Sequence, residues 1–154
     1  FVSKTGMVLI VRDGLEVRNL TQGLCTPMYR TSIPLVPAGR LSGNVCVSMR
    51  PYKAKDAIRA IEITSRYPMA HGTPLHIGDP RLIGIDDLND PMDGDAVHVA
   101  EDELPVFWGC GITAQDALLK SRPKLAITHK PGCVLVTDLL AAGDALQVPQ
   151  RSGE

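Results

Sequence analysis

The sequence lacks a dominant charge: 16 Lys and Arg stand against 17 Asp and Glu, a formal net charge of −1. That balance leaves no basic footprint for a nucleic-acid backbone and gives acidic polymers nothing to hold. No apolar run approaches the roughly 20 residues of a membrane span, and no charged-then-apolar leader is visible, so a soluble chain without a membrane partner is expected. The four cysteines, Cys25, Cys46, Cys110 and Cys133, include no CxxC pair. They are too sparse for the disulfide framework of a small secreted protein and point to a reducing compartment, cytosol or mitochondrial matrix. Neither GxGxxG nor GxxxxGK occurs, which removes the usual dinucleotide and P-loop phosphate sites. Repeats, low-complexity tracts and interdomain linkers are also missing.

What is present suits one globular domain or a compact pair of subdomains: 154 residues, 44% of them hydrophobic. Met7 to Val11, a short β-branched run before the turn signal Asp13-Gly14, is expected to be a strand. The abrupt opening on Phe1, with neither initiator methionine nor polar lead-in, suggests a fragment. Prolines 27, 34 and 37 with Gly39 and Gly43 should break residues 25–43 into short extended pieces of ordered loop. Val45 to Met49 reads as a strand. Ala54 to Ser65 reads as a helix with Ala54, Ala57, Ile58 and Ile61 on one stripe. Tyr67 to Pro91 reads as loop with at most short strands. Ala96 to Val99 and Leu104 to Trp108 read as strands, then a helix from Ala114 to Ser121 capped by Thr113, with Asp116 completing the capping signature. Leu125 to Thr128 and Val134 to Thr137 read as two last strands. Alternating strands and helices predict a mixed α/β layer structure.

Three constellations could carry chemistry. His71, His76 and Asp79 lie within nine residues on a glycine-rich loop. They could trade protons near neutral pH or form a metal triad, although the spacing matches no standard zinc pattern. The bland alternative makes Asp79 a turn cap and either histidine a buried hydrogen-bonding residue. In the second, Cys110 sits between Gly109 and Gly111 at the start of a helix, with Thr113 behind it. The thiol could be activated there, or the bare amides could cradle a substrate carboxylate, the anion cradle being preferred; the alternative is a buried cysteine filling space. The third is His129 at a strand end, at the same kind of sheet edge as Cys110. Arg30 and Arg50 stand beside apolar residues rather than on a charged face, as carboxylate clamps or as members of internal salt bridges. His98 reads as an exposed strand position.

Six blocks, PMYRT (27–31), PAGRLSG (37–43), VSMRP (47–51), TSRYPMAHGTPLHIGDPRLIGIDDL (64–88), PVFWGCGIT (105–113) and ITHKPG (127–132) with VTDL (136–139), resemble the D-glutamate cyclase family, also called hydro-lyases. Lys130 and Cys133 depart from the Ala and His expected there in many bacterial members. The resemblance implies a mixed α/β fold, layered with a mixed sheet and two subdomains. Residues 1–24 would be a poorly matched segment of a truncated domain, 25–142 the hydro-lyase-like region and 143–154 a frayed tail. It implies a cytoplasmic protein, or a mitochondrial matrix one in an animal. Its activity would be that of a carbon-oxygen lyase on a small amino or carboxylic acid, such as D-glutamate converted to 5-oxo-D-proline and water. That reaction needs no redox or pyridoxal cofactor, and no cofactor or metal is expected. Catalytic candidates are His71, His76, His129, Asp79 and Cys110, and substrate-binding candidates are Arg30, Arg50, Gly109, Gly111 and Thr113. A noncatalytic carboxylate-binding module, open to homo-oligomerisation, is the alternative.

Overall fold

The computed structural model describes residues 2–130. In chain order these form α1 (Val2–Arg12), α2 (Arg18–Thr21), β1 (Met28–Pro34), β2 (Asn44–Lys53), α3 (Ala54–Ser65), β3 (His76–Ile77), β4 (Glu103–Gly109) and α4 (Ile112–Ser121). Short 3-10 turns cover Pro68–Ala70 and Pro80–Ile83. No helix among the described residues is long and apolar enough to cross a membrane.

The strands make one sheet in the order β1-β2-β4-β3. All its pairings are antiparallel. The mixed α/β class expected from the sequence therefore holds, while the sheet itself is antiparallel where a mixed one was expected. Each strand finds an antiparallel neighbour, so no parallel crossover is needed. β2 and β4 form the centre, paired from Val47↔Gly109 to Lys53↔Glu103, with Pro51 directly opposite Pro105. Odd-numbered residues of β2 point their amides toward β1, as Met49 does in donating to the Pro27 carbonyl at 3.2 Å. At Pro51 the β1 chain has already departed, so the missing N–H breaks no ladder bond.

The period-2 alternation of β2 separates two cores. Val47 and Met49 pack with Phe107, Tyr29, Ile83 and Ile85 on one face. Tyr52, with Val106 and Trp108 of β4, packs under α1 and α3 on the other. α3 has the bounds read from the sequence, but its buried stripe is Ala57, Ala60, Ile63 and Thr64, and Ile58 is exposed. The stripe drawn through Ile58 and Ile61 is corrected by about a third of a turn, because the two alanines let the helix lie close to the sheet.

Other local expectations are overturned. Met7 to Val11 is helix, not strand. Met7 and Ile10, three apart, are buried in the core beneath α3, while Val8 and Val11 are 63% and 50% exposed. A five-residue apolar run carries no period of its own, and packing decides its type. Ala96 to Val99 and Leu125 to Thr128 form no strand. Residues 28–34, read as broken loop, make an edge strand with an irregular register between Arg30 and Pro34. Thr113 lies inside the first turn of α4, whose N-cap is Gly111. Its hydroxyl instead extends the β2 edge, accepting from the Cys46 amide at 2.9 Å and donating to the Cys46 carbonyl at 3.1 Å. Val134 to Thr137, Cys133 and the 143–154 tail lie outside the described residues.

Candidate functional site

A strand with one face against a helix layer should be apolar on that face, yet β2 places Cys46, Ser48, Arg50 and Tyr52 there, every second residue. Arg50 is only 5% exposed. One guanidinium nitrogen donates to the Ser48 hydroxyl at 3.3 Å, and the Nε–H has no partner among the described residues. The guanidinium carbon lies 5.4 Å from the centre of the Trp108 ring, a cation–π arrangement. No carboxylate pairs with Arg50 among the described residues. Burial pulls its pKa below the ordinary value. An arginine nonetheless stays charged, so one positive charge sits buried without an anion among the described residues.

Beside it is a cavity of about 10 Å³ lined by Met7, Ile10, Arg50, Thr64, Ala70, His71 and Trp108. That is room for about one water. The lining comes from α1, α3, both central strands and the 3-10 turn, residues up to 101 apart in sequence. His71 ends that turn in the left-handed region, at φ +75°. A non-glycine residue there is uncommon and is held by its surroundings. Burial, reinforced by the Arg50 charge, pushes its pKa down to about 4. His71 is therefore neutral at neutral pH, with one ring nitrogen unprotonated.

Cys110 follows β4 and is half-buried, and its thiol pKa is raised by burial. The Thr113 and Ala114 amides go to the Cys110 and Gly111 carbonyls at 3.1 and 3.2 Å. Of the amides expected to cradle a substrate anion, those of Cys110 and Thr113 already donate to the Cys46 and Cys110 carbonyls. Gly109 pairs with Val47 at the end of the β2–β4 ladder.

The remaining candidates stand elsewhere. β3 pairing sets His76 opposite Phe107, on the far face of the sheet. The two rings lie 5.7 Å apart, and the imidazole Nε2 meets the Asp79 carbonyl at 2.8 Å. Asp79 caps the Pro80–Ile83 turn through the Arg81 amide and pairs with the exposed Arg81 side chain at 2.8 Å. His71, His76 and Asp79 do not converge, and no cluster of three metal-ligating groups occurs among the described residues. His129 is exposed, its carbonyl accepting from Gln115 at 2.7 Å. Arg30 shares Arg50's face of the sheet but forks onto the buried Asp116 of α4, its Nε at 3.1 Å and a terminal nitrogen closer still. Lys120 reaches the other Asp116 oxygen at 3.2 Å. That pair ties β1 to α4. Of the sequence-derived candidates, the fold brings together Arg50 and His71.

Sequence reasoning passed over Ser48, Thr64, Trp108 and Tyr52. The signal for Ser48 and Tyr52 was the polar stripe Ser48, Arg50, Tyr52 at period 2 inside an otherwise apolar strand; Thr64 and Trp108 had none.

Fold and site together define a small mixed α/β unit built around a buried arginine that no carboxylate among the described residues compensates. The chain belongs to the D-glutamate cyclase family: the sequence profile so described matches residues 3–138. The match includes most of the first 24 residues, which the six motif blocks leave uncovered. Similar proteins include one of Bordetella petrii, 59% identical over 128 residues, covering 83% of this chain and 48% of that protein. One of Cupriavidus taiwanensis is 58% identical over 130 residues, 84% of this chain and 49% of that protein. One of Aliivibrio fischeri is 53% identical over 133 residues, 86% and 50%. Each bears the name "Putative hydro-lyase". The chain spans about half the length of these curated relatives.

Proposed function

We propose that this chain supplies the carboxylate-binding and proton-transfer centre of a hydro-lyase acting on a small amino or carboxylic acid. D-glutamate, cyclised to 5-oxo-D-proline and water, is the substrate the family name favours. The observation that carries the reading is Arg50, a buried cation beside a neutral imidazole, its Nε–H unpaired among the described residues. Its fork matches a carboxylate in shape and charge. Free cysteines at 25, 46 and 110 suit a reducing compartment such as the bacterial cytoplasm.

In the cyclisation, Arg50 would hold one substrate carboxylate while His71 takes a proton from the substrate ammonium. The freed amine attacks the side-chain carboxyl carbon, a C–N bond forms and a C–O bond breaks. Both protons leaving nitrogen end on the departing oxygen as water, so one histidine serves as base and then as acid. The cavity holds about one water, so a substrate carboxylate would reach Arg50 only by displacing part of the lining.

The test is a mass-spectrometric assay with D-glutamate, L-glutamate and small hydroxy acids, repeated with Arg50→Lys and His71→Gln. Loss of water from one substrate, abolished by both variants, supports the reading. Turnover that survives both variants sinks it. Calorimetric binding of carboxylates without conversion favours a binding module instead.

A further inference from the structure

Thr64, in the last turn of α3, is buried. Its hydroxyl donates to the Ala60 carbonyl at 2.8 Å, which leaves an oxygen lone pair aimed at the sheet. That oxygen accepts from the Trp108 indole N–H at 3.3 Å. A hydrogen bond at Nε1 fixes the plane of an indole that could otherwise turn about its side-chain bonds. Tyr52 abuts the same ring in an edge arrangement, centres 6.3 Å apart and planes at 81°. The ring held this way is the surface against which the Arg50 guanidinium rests.

The backbone of the same residue leads to His71. The Thr64 carbonyl accepts from the Tyr67 amide at 3.0 Å, and the Tyr67 carbonyl accepts from the amides of Ala70 and Gly72 at 2.8 and 3.1 Å. Those two amides flank His71. Thr64 thus bears on both site residues, on one through its side chain and on the other through its main chain.

We propose that Thr64 is a positioning residue whose hydroxyl, acting through the Trp108 indole, orients the Arg50 guanidinium beside the cavity. The consequence for ligands rests on the carboxylate reading above, whereas the geometry stands without it. A merely structural role, satisfying a buried indole donor, predicts that Arg50 ignores the hydroxyl.

Nitrogen-15 NMR of the whole chain separates the two. With one tryptophan in the sequence, the indole N–H peak needs no assignment, and the Arg50 Nε–H peak is identified by its loss in Arg50→Lys. Thr64→Val keeps the shape and removes the hydroxyl, and Thr64→Ser keeps the hydroxyl. The expected result is that Thr64→Val shifts the indole peak and moves or broadens the Arg50 peak, and that Thr64→Ser restores both. Acetate, titrated on the Arg50 peak, should bind about tenfold more weakly to Thr64→Val. An Arg50 peak unmoved in Thr64→Val while the indole peak shifts overturns the proposal. Should Thr64→Val not fold, Trp108→Phe asks the same question, since it keeps a ring but no N–H donor, and an unmoved Arg50 peak there also overturns it. A wild-type Arg50 peak indifferent to saturating acetate would instead overturn the carboxylate reading, leaving the variants to decide the relay.

Discussion

The guanidinium of Arg50 rests on the ring of Trp108 at 5.4 Å, and this ring provides what no carboxylate among the described residues provides. Cation–π attraction offsets part of the cost of burying a charge, on the order of 2 kcal/mol when desolvated. It does not saturate the donors, and the Nε–H has no partner among the described residues. A side chain held at such cost is a place where an incoming anion gains most.

Replacing that charge should separate stability from function. Arg50→Met removes a buried cation and fills similar volume, so its thermal midpoint should equal or exceed that of the wild type. Carboxylate binding measured by calorimetry should fall at least about a hundredfold, the loss of a charge-assisted fork worth roughly 3 kcal/mol. A midpoint well below the wild type would mean that Arg50 has a structural anion partner.

The depressed pKa of His71 makes stability depend on pH in a defined direction. Above about 6.5 the imidazole is neutral in both folded and unfolded chains, and it contributes no pH dependence. As pH falls from about 6.5 toward 4 the unfolded chain takes up the proton and the folded one does not. Stability therefore drops with acidification, by on the order of 3 kcal/mol across that window. Urea unfolding of wild type and His71→Gln at several pH values should show this slope in the wild type and its loss in the variant.

The Arg30–Asp116 pair should behave as part of the scaffold. Arg30→Ala leaves a buried carboxylate, 3% exposed, with Lys120 alone. A loss of roughly 1–3 kcal/mol in urea unfolding is expected, with turnover per folded molecule unchanged. A fall in turnover matching that of the Arg50 variants would place Arg30 on the substrate.

His129→Ala and His76→Ala should leave turnover within about twofold of wild type, because neither ring reaches the Arg50 cavity. His76→Ala should in addition cost about 1 kcal/mol in thermal stability through its lost contact with Phe107. A larger kinetic effect from either would bring a second side of the sheet into the mechanism.

Residue order by itself determined the elements whose period is unambiguous. The helix Ala54–Ser65 has the bounds read from its sequence, and the apolar alternation around Val47 and Met49 gives the central strand. Six motif blocks sufficed for the family. The same order could not assign Met7 to Val11, where helix and strand bury the run equally well until α3 offers a surface for Met7 and Ile10. Nor could it separate Arg30 from Arg50, two arginines on one sheet face with apolar neighbours. Asp116, 86 residues from Arg30, reaches one of them and no carboxylate among the described residues reaches the other. His71 and His76 likewise stand five apart on one loop, yet pairing of β3 with β4 sends His76 to the opposite face. Local pattern fixes which way a side chain faces along its own element; whether a buried charge is compensated depends on groups brought from distant parts of the chain, and only the tertiary fold decides that.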